Sequence, residues 1–545
     1  MLEDKDLLSV QEVRTKVEKA HAAWQKFRAY SQEQIDSIVE RMAAAARANA
    51  RQLAELAVEE TGYGNPKDKY IKNILNCDWL PRRMRGMKTV GLLRELPDEK
   101  IVEFGVPMGV VAAILPTTNP TSTAMYKTLI SIKAGNAIVL SPHPRAHRCT
   151  CRTAFILYQA ALEAGAPEDL IQCVELATME GIQALMRHER TAVILATGGH
   201  AMVRSAYSSG KPAYGVGPGN VPAMIDTSAD LEDAVAKVVA GKSFDYGTVC
   251  SSEQAIVAEH SLRDRILALL KEHKAYFANE QQKEALGRLL IQANWTVNPQ
   301  CVGQSPQKIA KMAGFEVPAD TSIICAEIEG VGKKYPLSAE KLSPVLSLIF
   351  VPDWNTALDT CFGLLKFGGA GHTASIFAKN DTRIREYGAR MPAMRVLVNT
   401  PAPQGSTGIT TNVFPSMTLG CGAMAGNSTS DNVGPHHLIN IKRLAYTVRT
   451  PEQAFEMPLD YTKAPAGPAA VSGGVDRAAI VSAVEKYLAS RGIAVAAAGP
   501  APASGPSCGC STAPPKESSI ASVAAEVVDR ILAGRGGSSS SGGYS

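Results

Sequence analysis

A cysteine at the mouth of an apolar stretch has the clearest chemical potential in this chain. Tyr246-Gly-Thr-Val-Cys250-Ser-Ser-Glu253 opens an extended segment, with Gly247 just ahead of the thiol. A thiolate there can add to an electrophilic carbon, although a free cysteine is more often a small buried hydrophobe. A second stretch, Leu115-Pro-Thr-Thr-Asn119-Pro-Thr-Ser122, joins an apolar run to a helix start. The Asn119 amide can donate to a developing oxyanion, and a helix N-terminus adds positive potential. Asn-Pro alone equally builds a turn. Three Gly-rich stretches follow: Ala196-Thr-Gly-Gly199, Gly215-Val-Gly-Pro-Gly219-Asn and Phe367-Gly-Gly-Ala-Gly-His372-Thr. The first lies between a strand and a helix, where small residues let a pyrophosphate approach backbone N–H groups. None is the Gly-x-Gly-x-x-Gly fingerprint, and His372 reads as well as a structural imidazole.

The elements that must position these residues alternate. Residues 8 to 60 carry helical spacing, first through Val10, Val13, Val17 and Ala20, then through Ile35, Ile38, Val39 and Met42. Gly109-Val-Val-Ala-Ala-Ile-Leu115 is a continuous apolar run, as in a strand buried on both faces. Pro116 stops it, and Thr121 or Ser122 is expected to cap a helix ending near Gly135. Strands are expected over 136–140, 170–175 and 192–196, with helices over 145–165 and 181–188. Such alternation predicts βαβ units and a parallel sheet, with ligands at the carboxyl ends of its strands. A second α/β segment begins near 241, with strands expected at 255–258, 345–351, 374–377 and 395–398 and helices at 262–273 and 381–391.

Whole-chain properties narrow the function classes. At 545 residues the chain is long enough for several domains. A net charge of +4, without a basic stripe, gives no indication of nucleic-acid binding. No apolar run reads as a membrane span, and the charged start, Met1 to Asp6, lacks a signal-peptide core, so a cytoplasmic location is the default. Eleven scattered cysteines do not make a small secreted disulfide framework. The close pairs Cys149/Cys151 and Cys508/Cys510 lack zinc-site spacing, and no metal is expected.

The composition shifts after about 465. Residues 494 to 515 are almost all Ala, Gly, Pro, Ser, Cys and Thr, a linker that cannot bury a core. It separates two similar helical patterns, Val484-Glu-Lys-Tyr-Leu-Ala-Ser-Arg-Gly492 and Val528-Asp-Arg-Ile-Leu-Ala-Gly-Arg-Gly536. In the second, Ile520, Val523, Ala524, Val527, Val528, Ile531 and Leu532 fall on one face. Two ordinary amphipathic helices would look the same.

Taken in order, six stretches resemble the aldehyde dehydrogenase superfamily over roughly residues 8 to 450. These are Ile114-Leu-Pro-Thr-Thr-Asn-Pro-Thr-Ser122, Ala196-Thr-Gly-Gly199, Gly215-Val-Gly-Pro-Gly-Asn220, Gly247-Thr-Val-Cys-Ser-Ser-Glu253, Leu342-Ser-Pro-Val345 and Gly371-His-Thr-Ala-Ser375. Within the superfamily the chain resembles the CoA-acylating branch, and most closely the propionaldehyde dehydrogenases of bacterial microcompartments. The resemblance implies an α/β fold: a Rossmann-type NAD-binding domain (1–95 and 109–240), an α/β catalytic domain (241–430) and a small oligomerisation arm (96–108 and 431–450). A connector (451–474), an amphipathic helix (475–492), a Pro/Gly/Ala-rich linker (493–518), a second amphipathic helix (519–535) and a disordered tail (536–545) complete the expected organisation.

The resemblance also implies roles. Cys250 falls on the family's nucleophile and Asn119 on its oxyanion amide. Gly198 and Gly199 fall on the pyrophosphate-facing turn, and Glu340 on the carboxylate that holds the nicotinamide ribose. Ser141 falls where hydrolytic members have an adenosine-ribose lysine, with His143 on the same loop. Thr117, Thr118, Thr197, Gly217, Leu342 and His372 complete the implied cofactor cleft. Hydrolytic members carry a water-activating glutamate where this chain has Val216, and no carboxylate lies between Lys211 and Asp226. A thiol needs little such help. The implied reaction is therefore ping-pong oxidation of a short aldehyde, propionaldehyde first, by NAD and coenzyme A, without a metal. A hydrolytic enzyme, or an acylating enzyme for acetaldehyde or a semialdehyde, is the alternative. NADP stands beside NAD, because neither His143 nor Pro144 selects the ribose. The implied partners are further copies of the chain, as dimer or tetramer, and microcompartment shell proteins met by a C-terminal helix in the microcompartment lumen.

Overall fold

Asp4 opens the first helix, its carboxylate accepting the N–H groups of Asp6 and Leu7. The computed structural model describes residues 4–457, 459–460, 462 and 477–490. Helices Lys5–Phe27, Gln32–Ala48 and Ala50–Thr61 bury the stripes read from the sequence, among them Val13, Val17, Ile35, Ile38 and Met42. A capping box between Ser31 and Gln34 starts the second helix. Gly62, in the left-handed region, ends the third.

In chain order the strands are β1 (Gly91–Leu96), β2 (Ile101–Pro107), β3 (Val110–Ile114), β4 (Ala137–Ser141), β5 (Ile171–Cys173), β6 (Thr191–Thr197), β7 (Ala213–Val216), β8 (Val221–Ile225) and β9 (Glu253–Glu259). They continue as β10 (Ala275–Phe277), β11 (Ile323–Glu327), β12 (Val345–Val351), β13 (Gly371–Phe377), β14 (Ala393–Val398) and β15 (Ile439–Ala445). A five-stranded sheet runs β5-β4-β3-β6-β7, parallel throughout. Its centre, β3, is wholly buried, which is why its sequence is continuously apolar. The order reverses between β3 and β6, so a crevice forms beyond their carboxyl ends, the usual ligand position in an open α/β sheet.

A seven-stranded parallel sheet runs β10-β11-β12-β9-β8-β13-β14. Here the structure corrects the expected boundary at 240. β8 pairs with β9 and β13, so residues 221–225, with the helix Leu231–Ser243 that follows, belong to the second sheet. Val221 to Ile225 is short, apolar and interrupted by Pro222, so nothing in its pattern tells which sheet receives it. A second difference concerns β1. It pairs antiparallel with β2, which in turn pairs with β15, so the three-stranded sheet takes in residues 91–95 as well. Arg94 and Arg443, from the two outer strands, both bond Glu103 of β2, at 2.7 and 3.0 Å.

The helix after β3 begins at Pro120 rather than at a Thr121 or Ser122 cap. Proline suits that first position, since its missing N–H has no partner there in any case. A disulfide joins Cys151, on the helix His147–Glu163, to Cys173 at the end of β5. No described helix is long and apolar enough to cross a membrane.

Residues 447–545 form a separate unit. Within it Pro451–Ala454 and Arg477–Ser490 are helical, the latter inside the first amphipathic pattern. The second pattern (519–535), the linker (493–518) and the tail (536–545) lie outside the described residues.

Candidate active site

The approach to Cys250 is held in an uncommon conformation. Asp245, Tyr246 and Gly247 all have positive φ, at 48°, 52° and 72°. Glycine is required at the third, because a Cβ there would lie 2.8 Å from the Ser343 carbonyl oxygen. Strain of this kind persists only where neighbours over-determine it. Here they do. The buried Asp245 carboxylate accepts from the Asn65 N–H at 2.9 Å, Lys69 Nζ at 3.0 Å, Thr248 Oγ1 at 2.6 Å and Lys72 Nζ. Burial alone would raise the Asp245 pKa, but the two lysines overcome it and hold the carboxyl below its usual range. Burial brings Lys72 down to about 8 despite Asp245.

Cys250 follows, packed against Val216, Leu419 and Cys421. Among the described free cysteines it is the one that is not fully buried. His372, second residue of β13, brings Nε2 to 3.2 Å from Cys250 Sγ, and its Nδ1 lies 2.9 Å from Thr373 Oγ1. Gly371 has φ 79°, and a Cβ there would strike the Cys421 carbonyl at 1.9 Å, so the glycine lets β13 start against this wall. Burial, then the charge of Arg395, pulls the imidazole down to about 3. Burial, with Glu340 and Cys421 adding, pushes the thiol up to about 12. Both groups are therefore neutral at rest. With Nδ1–H donated to Thr373, Nε2 is free to take the thiol proton.

Glu340 is tied to the same spot. Its Oε1 accepts the Gly219 N–H at 3.0 Å, and a Cβ on Gly219 would lie 2.2 Å from the Cys250 carbonyl oxygen. Burial raises the Glu340 carboxyl to about 7, against the pull of the Gly219 N–H, Lys242 and Lys341. Arg395, expected only as the start of a strand, is buried and donates to the carbonyls of His372 (2.8 Å), Gly420 (2.7 Å), Ser430 (3.2 Å) and Leu419 (3.4 Å).

Asn119 precedes the helix Pro120–Lys133, but its side chain makes no cap bond. Its Oδ1 instead accepts from Lys72 Nζ at 2.5 Å, and its Nδ2 contacts Thr118 Oγ1 at 3.0 Å. Lys69 Nζ holds the Thr118 carbonyl at 2.9 Å. Lys69, Lys72, Asp245 and Thr248 also went unread in the sequence. Two lysines beside Asp68 look like a solvated helix face, and only their complete burial reveals otherwise.

The β3/β6 crevice suits a dinucleotide. Thr197 Oγ1, at the end of β6, is buried without a partner. Added Cβ atoms at Gly199 and Gly217 would meet nothing within 4 Å, and one at Gly198 only Met202 at 3.5 Å. Open backbone beside an unpaired hydroxyl is what an incoming phosphate or ribose needs. Thr117 and Thr118 lie on the loop after β3, and Ser141 and His143 beyond β4. His143 already accepts the Arg145 N–H at 3.1 Å. Leu342, at φ 44°, gives its carbonyl to the Gly303 N–H at 2.9 Å. Thus Cys250, His372, Glu340 and Gly219 are joined directly, Asn119 through Lys72, while Ser141 and His143 stand apart. His372, expected as a cofactor contact, lies against the thiol, a contact the sequence did not suggest. Among the described residues, Asp431, His436 and His437 could together face a metal ion, but His437 Nε2 already lies 3.3 Å from Asp431.

Residues 5–312 match the aldehyde dehydrogenase family. Aldehyde-alcohol dehydrogenase 2 of Entamoeba histolytica is 45% identical over 76% of this chain and 49% of its own length. The chain thus spans about half the length of the curated relatives it first matches. Succinate-semialdehyde dehydrogenase (acetylating) of Clostridium kluyveri is 37% identical over 79% of the chain and 94% of its own. Among solved structures, an acetylating aldehyde dehydrogenase from Geobacillus thermoglucosidasius superposes with TM-score 0.81 at 48% identity, covering 82% of this chain and 99% of that one. A propionaldehyde dehydrogenase from the Clostridium phytofermentans fucose utilisation bacterial microcompartment gives TM-score 0.71 at 26% identity over 79% and 96%. One from Rhodopseudomonas palustris, holding CoA and an acylated cysteine, gives 0.72 at 27% over 80% and 97%. The chain belongs to the aldehyde dehydrogenase family, in its CoA-acylating branch.

Proposed function

We propose that this chain oxidises a short aliphatic aldehyde, propionaldehyde foremost, to its acyl-CoA with NAD. The observation that carries the reading is Val216 packed on Cys250, an apolar wall where hydrolytic relatives place a water-activating carboxylate. The Cys250 Sγ–H proton passes to His372 Nε2 as the sulfur bonds the aldehyde carbon. The Asn119 amide and the Cys250 backbone N–H receive the oxyanion. When bound in the crevice, with Glu340 toward its ribose and the Gly198–Gly199 turn toward its phosphates, NAD supplies the hydride acceptor. Cys250 is then left as an acyl thioester. The CoA thiol attacks this carbonyl after losing its proton, the carbon–Sγ bond breaks, and Cys250 leaves as the thiolate that is reprotonated. His372 is placed to hold these protons.

Arg395 favours an uncharged aldehyde over a semialdehyde. It is the cation whose charge reaches Cys250, yet both its Nη1 and Nη2 are bonded to backbone carbonyls, which leaves Nε alone unpartnered among its nitrogens. The microcompartment origin of one structural neighbour supports a tail that carries the enzyme into such a compartment through 475–492 or 519–535. The exposed side chains of β15 support assembly into a dimer or tetramer. The deciding experiment follows cofactor reduction by the purified chain with propionaldehyde and NAD, with and without CoA, beside Cys250→Ala. Reduction that needs CoA and vanishes in the variant is expected. Steady turnover without CoA would overturn the reading in favour of hydrolysis. For the tail, a chain ending at 474 should keep activity but no longer co-purify with shells when co-expressed with microcompartment shell proteins.

A further inference from the structure

Lys72 makes three hydrogen bonds and has three protons to give. Its ammonium donates to Asn119 Oδ1 at 2.5 Å, to Thr248 Oγ1 at 3.0 Å and to Asp245 Oδ2. It is 3% exposed, and Asp245 is fully buried. An ammonium has no lone pair, so it accepts nothing. Of the two ends of the Asn119 amide, only the oxygen can therefore face it. An asparagine amide is otherwise free to turn end for end at small cost, its terminal torsion being broad and two-fold.

We propose that Lys72 is a positioning residue: it locks Asn119 with Oδ1 inward, so that Nδ2 is presented as the oxyanion donor, and it ties that amide to the Cys250 loop through Thr248 and Asp245. This rests on Asn119 being the oxyanion donor, as the functional reading holds. The link spans the two sheets. Asn119 follows β3 of the five-stranded sheet, while Asp245 and Thr248 lead into β9 of the seven-stranded sheet. A single cation thus holds together the donor and the nucleophile that must meet one carbonyl group. The present contact of Nδ2, the Thr118 hydroxyl at 3.0 Å, can rotate aside when an oxyanion arrives. Lys69 supports the arrangement by fixing the Thr118 carbonyl and sharing Asp245 Oδ2, so the carboxylate keeps a cationic partner when Lys72 is changed.

The test is a double-mutant cycle on the full chain with propionaldehyde, NAD and CoA, comparing Lys72→Met, Asn119→Ala and their combination. Lys72→Met is expected to lower kcat by about 10- to 100-fold, since a misoriented oxyanion donor is lost in the transition state. The KM for aldehyde should stay within about threefold, and so should the rate of Cys250 alkylation by iodoacetamide, which needs the thiol but no oxyanion site. In the Asn119→Ala background Lys72→Met should cost less than about threefold, because the two act as one unit. Lys72→Gln, which keeps one donor arm, should recover part of kcat. If Lys72→Met does not give the native circular dichroism, Lys72→Gln in both backgrounds completes the same cycle. An equal loss with and without Asn119, or an unchanged kcat, would overturn the inference alone. No CoA-dependent turnover in the unsubstituted chain would overturn the functional reading beneath it.

Discussion

His372 Nε2 lies 3.2 Å from Cys250 Sγ, and both groups are neutral. The surroundings explain why. Burial disfavours both the thiolate and the imidazolium, and Arg395, behind the imidazole, disfavours the imidazolium further. The pair is a thiol with a waiting base rather than a standing ion pair. Nucleophile and proton acceptor are matched only as the carbonyl arrives and the oxyanion site takes up the charge.

This arrangement sets the pH dependence of Cys250. Because the folded thiol titrates near 12, the thiolate fraction rises with pH through the neutral range. Iodoacetamide alkylation should therefore quicken about tenfold per pH unit between about pH 6 and 9. With the imidazole held near 3, no inflection should appear around the ordinary histidine value of 6.5. A plateau from acid to neutral pH would mean a pre-formed thiolate–imidazolium pair and sink this account. His372→Ala should lower kcat by about 10²- to 10⁴-fold, the usual span for a general base.

Val216 is 3% exposed and packs on the nucleophile. Val216→Glu puts a carboxylate where water can be activated against the acyl thioester. Single-turnover acyl-enzyme, followed by mass spectrometry without CoA, should decay at least about tenfold faster than in the unsubstituted chain. Burying the new carboxyl should cost about 3 kcal/mol, read as a fall in denaturation midpoint. A stable, folded variant whose acyl-enzyme persists as before would remove Val216 from the explanation.

The positions of the site residues share one feature that their sequence contexts only half reveal. Gly217–Gly219, Cys250, Glu340–Leu342 and His372 lie at the amino ends of β8, β9, β12 and β13, four adjacent strands in the order β12-β9-β8-β13. A glycine turn or a polar residue ahead of an apolar run marks Gly217–Gly219, Cys250 and His372 locally, while Glu340 and Leu342 were reached only through the family resemblance. Their convergence was not legible, because strand order in a parallel sheet is settled by packing between segments far apart in the chain, as in the pairing of Ser375 in β13 with Ala223 in β8. The same limit hid the contact of His372 with the thiol. Its Gly-rich loop resembles a phosphate turn, and only the pairing of β13 beside β8 brings it to the thiol. β3, β4 and β6 were readable because buried central strands are continuously apolar. Lys69 and Lys72 were not, since a lysine buried against one aspartate is written with the same letters as a solvated one.

Glu340 ties cofactor binding to pH. Its carboxyl rises from 4.5 to about 7, so below about 7 it is protonated and a poorer acceptor for ribose hydroxyls. NAD affinity, followed by fluorescence titration, should weaken as pH falls through that value. Glu340→Gln should flatten the dependence and weaken binding by about tenfold at high pH. The sign for stability is the opposite. A raised carboxyl keeps its proton in the fold after the unfolded chain has lost it, so Glu340 erodes stability as pH rises from 4.5 to about 7. The variant should lose that slope. Binding that is indifferent to both pH and substitution would place the ribose elsewhere.

Among the described residues β15 pairs with β2 on one side only, so its other edge is a row of backbone groups without a strand partner there. Ile441, Leu444 and Tyr446 on or just past this strand are 44%, 47% and 59% exposed. An edge of seven residues with large apolar side chains would invite unspecific pairing unless another surface covered it. A second copy of the same three-stranded sheet is the natural cover, because a two-fold contact satisfies both edges at once. Ile441→Asp with Leu444→Asp should therefore shift the particle, by light scattering, to a smaller species. Cys250 alkylation should stay within about twofold, since the thiol and its histidine lie in the seven-stranded sheet. If the doubly substituted chain keeps the mass of the unsubstituted one, assembly uses another face, and the exposed side chains of β15 need a different partner.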